Sequence, residues 1–259
     1  MGMKLQVVGG GKMGQALLGG LLVNFAAASE LSVVEPDPAA RHSIAEAFPG
    51  VAVGERATEG VPTVLAVKPH LAVEVVAALP AIPRLLSVCA GITTSQLEAV
   101  TPAAVVRCMP NTPALVGYGA SGVAVGASAD QSDLQWGLEI LGAVGVAVAV
   151  TEAQIDAVTG LSGSGPAYVF LIAEAMTDAG VAAGLQRAIA QRLAYQTIAG
   201  AGQMLLVDGA DAGQLRANVT TPAGTTAAGL GVLEAEGVRA AFNAAVSAAT
   251  ARSRELGLS

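Results

Sequence analysis

The chain has 259 residues, 53% of them hydrophobic, 13% charged and 3% aromatic. This composition excludes disorder, because enough apolar surface can be buried to offset the ordering entropy. Thirteen Lys and Arg against twenty Asp and Glu leave a net charge of −7, so there is no basic surface for nucleic-acid phosphates and no nucleic-acid partner is expected. The longest stretch free of charge and His, Cys108 to Ala129, is broken by Pro110, Pro113, Gly117 and Gly119 and cannot be a membrane-spanning helix. The first apolar residues, Leu5, Val7 and Val8, run into glycines rather than a secretory core,. A cytoplasmic protein without membrane association is expected. Cys89 and Cys108 are too few for a disulfide framework or a metal cluster,; two buried thiols and no metal site are expected.

In chain order, strands are predicted at 4–8, 31–34, 61–67, 85–88, 105–108, 121–125 and 146–150. Helices are predicted between them at 13–25, 38–48, 71–79 and 130–141. Nearly apolar strands alternating with helices predict a parallel sheet covered on both faces. After Thr151 only helical runs remain: Pro166 to about Ala179, with Gly180 suited to the stop, then 185–206 and 238–255. The fold class is therefore α/β, a doubly wound domain over residues 1–150 followed by an all-α domain over residues 151–259. The later helices are apolar nearly all round, and about a hundred residues cannot bury so many faces alone. The helical half is expected to pack against a second copy of itself about a two-fold axis.

The first chemical signal follows the first strand. Gly9, Gly11 and Gly14 in Gly9-Gly10-Gly11-Lys12-Met13-Gly14 satisfy G-x-G-x-x-G. In that motif the glycines permit a tight turn, approach of a pyrophosphate and close helix–strand packing. Free amides and the helix dipole then favour an anion. The second strand ends at Glu35, which is placed to accept from a ribose 2′-hydroxyl and thereby favour NAD, unless it is a solvated strand-end charge. Arg41 offers the opposite choice if its loop curls back onto a phosphate.

Two small-residue turns, Ser162–Ala167 and Thr220–Thr226, lead into helices and carry amides and hydroxyls that can hold a carboxylate; ordinary Ser/Thr capping is the alternative. His42 and His70 sit beside no nucleophile and in no metal-ligand pattern. Oxidation of an alcohol needs a positioned base, whereas a protonated imine is already electrophilic and needs orientation above all.

Taken together, Gly9–Gly14, Ala66-Val67-Lys68-Pro69, Arg107–Pro113, Asp156–Tyr168 and Thr221–Thr226 resemble, in order, the motifs of pyrroline-5-carboxylate reductases. The resemblance implies a Rossmann domain, a helical domain interlocked with its partner's, and reduction of the C=N bond of pyrroline-5-carboxylate to proline by NADPH or NADH. It also implies a homodimer that can assemble as a decamer of five dimers. On the cofactor side it assigns Gly9, Gly10, Gly11, Lys12, Met13, Gly14, Glu35, Ala66, Val67, Lys68, Pro69, Ala90, Gly91, Met109, Pro110 and Asn111. Lys68 touches cofactor or substrate, or else makes a strand-end salt bridge. On the substrate side it assigns Glu152, Asn218, Gly224, Thr225 and Thr226. The Thr226 hydroxyl would be the catalytic contact to the ring nitrogen.

The resemblance has departures. Where the family commonly has Ser-Pro-Gly-Gly-Thr-Thr, this chain has Thr221-Pro222-Ala223-Gly224-Thr225-Thr226, so Ala223 is expected to avoid positive φ. No Asn follows the third strand, in Val53-Gly54-Glu55, and with Glu35 this makes NADH use credible. A hydroxyacid reductase of similar build would need a Lys on the helix after Pro166, and 166–180 has none. A silent nucleotide sensor would not keep Thr226 and Glu152.

Overall fold

The computed structural model describes residues 3–257. Its packing divides the chain into two units: one runs to Ser164 and resumes at Val246, the other is Gly165–Ala245.

In the first unit the strands β1 (Leu5–Val8), β2 (Leu31–Val34), β3 (Ala52–Gly54), β4 (Thr63–Leu65), β5 (Arg84–Ser87), β6 (Ala104–Met109), β7 (Gly119–Val125) and β8 (Gly145–Ala149) form one sheet. Its order is β3-β2-β1-β4-β5-β6-β7-β8. The first six strands have the doubly wound order with its reversal between β1 and β4. Only β7 runs against its neighbour β6; β8 is again parallel to β7. The connections between strands carry α1 (Lys12–Asn24), α2 (Pro38–Ala47), α3 (Ala72–Ala77), α4 (Thr94–Glu98) and α5 (Gln131–Gly142), and α6 (Ile155–Val158) follows β8.

Strand alternation builds the two cores. Leu5 and Val7 face Leu17, Leu18, Leu21 and Ile140, whereas Val8 turns to Leu65, Val76 and Leu97 on the other face. Both faces are covered, hence the continuous apolar strands. Gln6 is one of several buried polar strand residues. It is fully buried, and its amide donates to the Thr58 and Val61 carbonyls and the Thr63 hydroxyl, which pins the loop before β4.

The boundary expected at residue 150 does not coincide with this packing. Residues 151–164 lie on β7, where Gly122 leaves room for the Val158 methyls. The last helix returns to them where Gly160, lacking a side chain, admits Thr250 and the Val246 carbonyl.

The second unit holds α7 (Gly165–Ala182), α8 (Arg187–Leu205), α9 (Ala212–Asn218) and α10 (Thr225–Ala235); α11 (Val238–Gly257) begins in it. Gly180 does not stop α7. It lies inside the helix, where a Cβ would stand 3.0 Å from that of Ala190, so its role is close approach to α8. The stop is Gly184, at φ +101°. There Gly184 donates to the Val181 carbonyl and Leu185 to the Gly180 carbonyl, the paired bonds of a left-handed helix end. The buried residues of this unit are small: Ala173, Thr177, Ala190 and Ala194. Phe170, Leu171, Leu193, Leu206, Val232 and Leu233 stay more than half exposed. Among the described residues no helix is long and apolar enough to cross a membrane.

Candidate active site

The glycine loop has the geometry its spacing predicts. Gly9 stands at φ +107° against the Ala66 carbonyl, and Gly14 stands against the carbonyl of Gly9, so a Cβ at either position would collide with backbone. Gly11 caps α1 without a side-chain partner, the first turn holds no acid, and the space beside Gly11 is open. The first helical amides are therefore free to meet an anion. They border a cleft of about 850 Å³ lined by Gly9, Gly11, Val34, Glu35, Arg56, Ala66, Val67, Lys68 and Leu71, among others. It lies where the strand order reverses, the place at which open α/β sheets bind nucleotides, and its size is that of a ligand pocket. These residues fit a dinucleotide. Gly10, Lys12, Met13 and Gly14 belong to the same loop, and Pro69 opens the short turn after Lys68.

Glu35 is not a solvated charge. One carboxylate oxygen accepts from the Gly10 amide at 2.9 Å, the other from the Asp37 amide at 3.1 Å. Arg41 donates through Nη1 to the carbonyls of Glu35 and Pro36 at 2.9 and 2.8 Å, so it holds the loop after β2. Beside Lys68, the cleft wall holds a second exposed cation, Arg56, which the sequence reading passed over; its place just after β3 was the available signal. Lys68 lines the cleft and makes no salt bridge among the described residues.

Ala90 and Gly91 follow β5, with Gly91 at φ +77° and its open side 3.4 Å from the Leu256 carbonyl at the end of α11. Met109 ends β6, and Pro110 and Asn111 follow. The buried Asn111 side chain donates to the Ser162 carbonyl and accepts from the Ala120 amide, both at 2.9 Å, which fixes this loop. Both thiols are buried, and burial pushes each up from its ordinary range, so they stay protonated.

Glu152, expected among the substrate contacts, has other partners. One oxygen accepts from the Thr94 hydroxyl at 2.6 Å; the other accepts from the Thr94 amide at 2.7 Å and from Arg107 at 3.1 Å. Burial alone would raise its pKa, but the Thr94 bonds and the Arg107 guanidinium outweigh it and hold the carboxyl below its usual range,. The sequence reading assigned neither Thr94 nor Arg107. The signal for α4 was the capping box Thr93-x-x-Gln96,.

The two helix entrances of the helical half behave differently. Thr159–Gly163 winds as a π-turn, with the Ser164 amide bonded to the Thr159 carbonyl, so its amides are not presented to a ligand. At the other, Gly224 caps α10 with no side-chain partner and no acid in the first turn, and Thr225 and Thr226 are the first helical residues. These amides can hold a carboxylate, with the Thr226 hydroxyl beside them. Ala223, expected to avoid positive φ, sits at +58°; the tight turn that delivers Gly224 requires the left-handed conformation even with a Cβ. Asn218, at the end of α9, accepts from Gln214 at 2.7 Å.

Residues 4–106 match the family described as NADP oxidoreductase, coenzyme F420-dependent, and residues 152–256 match the pyrroline-5-carboxylate reductase dimerisation domain. Over 264 residues the chain is 42% identical to the pyrroline-5-carboxylate reductase of Pseudomonas aeruginosa, covering 98% of this chain and 96% of that one. The chain belongs to the pyrroline-5-carboxylate reductase family. The family's structure from Coxiella burnetii superposes with TM-score 0.87 at 33% identity, over 98% of both chains. That of the Plasmodium falciparum pyrroline carboxylate reductase with NADP bound superposes with TM-score 0.79 at 30% identity, again over 98% of both. The glycine loop and its cleft lie within the part that matches the oxidoreductase family, and the exposed apolar helices lie within the part that matches the dimerisation domain.

Proposed function

We propose that the chain reduces the C=N bond of pyrroline-5-carboxylate to give proline, with NADPH or NADH as hydride donor. The observation that carries the substrate assignment is the uncapped start of α10. The first-turn amides and the residues Thr225 and Thr226 stand there with no side-chain cap and no acid in the first turn, which suits an anionic ring whose protonated nitrogen needs a hydrogen-bond partner rather than a general base. Residues 151–259 are the dimerisation and substrate domain in this reading, and the exposed apolar faces of α7, α8 and α10 support a homodimer through it. Further assembly to a decamer is part of the same reading, tested by light scattering. Protonated, buried thiols suit a cytoplasmic location.

The bound dinucleotide supplies a hydride from its nicotinamide. The chain's own residues do the rest. The loop Gly9–Gly14 holds the pyrophosphate on the amides that open α1. Ala66, Val67, Lys68 and Pro69 lie along the dinucleotide, and Lys68 contributes a cation to its phosphates. Ala90, Gly91, Met109, Pro110 and Asn111 border the nicotinamide through backbone and Met109. Thr225 and Thr226 hold the substrate carboxylate by their amides, at the turn that Gly224 closes by donating its own amide to the Thr221 carbonyl; Asn218 borders the ring, and the Thr226 hydroxyl hydrogen-bonds the ring nitrogen. Glu35 faces the ribose and opposes a 2′-phosphate, which supports NADH use; Arg56, just after the neighbouring strand β3, leaves NADPH a cation. The test is oxidation of NADH and of NADPH with pyrroline-5-carboxylate, run in parallel. Failure of both coenzymes would end this assignment.

A further inference from the structure

We infer that Glu152 is a positioning residue for hydride transfer, tying the loop that carries Ala90 and Gly91 to the strand that carries Met109. The inference rests on the reading above that these two segments border the nicotinamide. Thr94 is the first residue of α4, directly after that loop, and its side chain and amide reach different oxygens of the same carboxylate, at 2.6 and 2.7 Å. A two-point grip of this kind fixes orientation as well as distance. The third bond, 3.1 Å from Arg107, comes from β6, two residues before Met109. The Arg107 side chain is only 7% exposed, so it must be paired, and Glu152 is its ion-pair partner among the described residues. At its other end the loop follows Cys89, which is buried and whose amide donates to the Ser87 hydroxyl. Gly91, in the middle, is backed by the Leu256 carbonyl. Three hydrogen bonds already satisfy the carboxylate, and every one of its partners belongs to the sheet domain.

Hydride transfer requires the reacting carbons within about 3–3.5 Å, and a misplacement of about 1 Å costs on the order of a hundredfold. A carboxylate that fixes the loops on both sides of the ring therefore acts on the chemical step rather than on ligand affinity.

The experiment compares Glu152→Ala, Thr94→Ala and Thr94→Ser with the wild-type enzyme. For Glu152→Ala, kcat should fall about 10–100-fold and the primary isotope effect from coenzyme deuterated at the transferred hydrogen should rise. KM for pyrroline-5-carboxylate and the Kd for coenzyme should stay within about threefold. Thr94→Ala should fall less, and Thr94→Ser, which keeps the hydroxyl, should restore the wild-type rate. The Thr94 pair also carries the test if Glu152→Ala fails to fold. A KM raised tenfold at unchanged kcat would make Glu152 a direct substrate contact and overturn the inference, as would a wild-type kcat in both alanine variants. Fluorescence anisotropy of the bound reduced nicotinamide provides a readout independent of the imine. It should fall in both alanine variants and recover in Thr94→Ser. If wild-type enzyme turns over no pyrroline-5-carboxylate yet anisotropy falls this way, the substrate assignment fails and the positioning role stands. Unchanged anisotropy removes the positioning role.

Discussion

Replacing Ala223 by Gly should stabilise this protein. Ala223 stands at φ +58°, in the left-handed region where a residue with a Cβ loses about 1–2 kcal/mol to the clash with the following carbonyl. Gly removes that clash. It also gives the unfolded chain more freedom, which costs about 0.4–1 kcal/mol. The difference is a net stabilisation of about 0.5–1 kcal/mol. The opposite holds one position later. Gly224 has ordinary φ, −81°, but a Cβ there would run into the Thr221 hydroxyl. Gly224→Ala should therefore destabilise by about 1–3 kcal/mol, the range of overpacking, and displace the amides assigned to the substrate carboxylate. Urea unfolding at one fixed subunit concentration is the assay, since association adds to the apparent stability. Turnover measured alongside should be within about twofold of wild type for Ala223→Gly. If Ala223→Gly unfolds at lower urea than wild type, the left-handed strain does not exist and the reasoning about this turn fails.

Thr226→Val should lower kcat about 10–100-fold with coenzyme Kd unchanged, the loss of one hydrogen bond to the reacting nitrogen; steady-state kinetics with coenzyme titration checks both halves. Glu35→Ser should shift the ratio of kcat/KM toward NADPH, because it removes the charge that opposes a 2′-phosphate and frees the Gly10 amide; an unaltered ratio would remove Glu35 from coenzyme choice. The carboxyl of Glu152 is held below its ordinary range of about 4.3,. A depressed folded pKa adds stability that is full above the unfolded value and lost as pH falls through the folded one. The wild-type advantage over Glu152→Gln in thermal unfolding should thus be constant above about pH 5 and shrink as the pH falls from there through the depressed folded value. The buried Ser121 hydroxyl has no hydrogen-bond partner among the described residues, so Ser121→Ala should be neutral or stabilising by up to about 1 kcal/mol in urea.

The sequence by itself determined whatever is set by local pattern. Apolar strands separated by helices specified the doubly wound sheet, because burial on both faces favours apolar residues at most strand positions. The spacing of Gly9, Gly11 and Gly14 specified the cradle, because Gly9 and Gly14 are closed to a Cβ by nearby backbone while the open side of Gly11 leaves the helix amides accessible. Thr225 and Thr226 after a Pro-Ala-Gly turn marked an uncapped helix start. Motif order was enough to identify the reductase family. What escaped was short or depended on distant chain: β3 has three residues and no buried face, and α4 is five residues marked only by its capping box.

Tertiary structure alone decided the partners of charged and special residues. Glu152 and Thr94 are 58 positions apart, and only the sheet, through β6 and its neighbours, brings them to hydrogen-bonding distance with Arg107. The bonding of Arg41 to carbonyls, and the use of Gly180 for packing while Gly184 stops the helix, were settled the same way. The left-handed Ala223 was settled by the turn in which it stands. A side chain's chemistry depends on which donors and acceptors reach it, and those arrive from segments whose approach is set by the packing of the whole sheet.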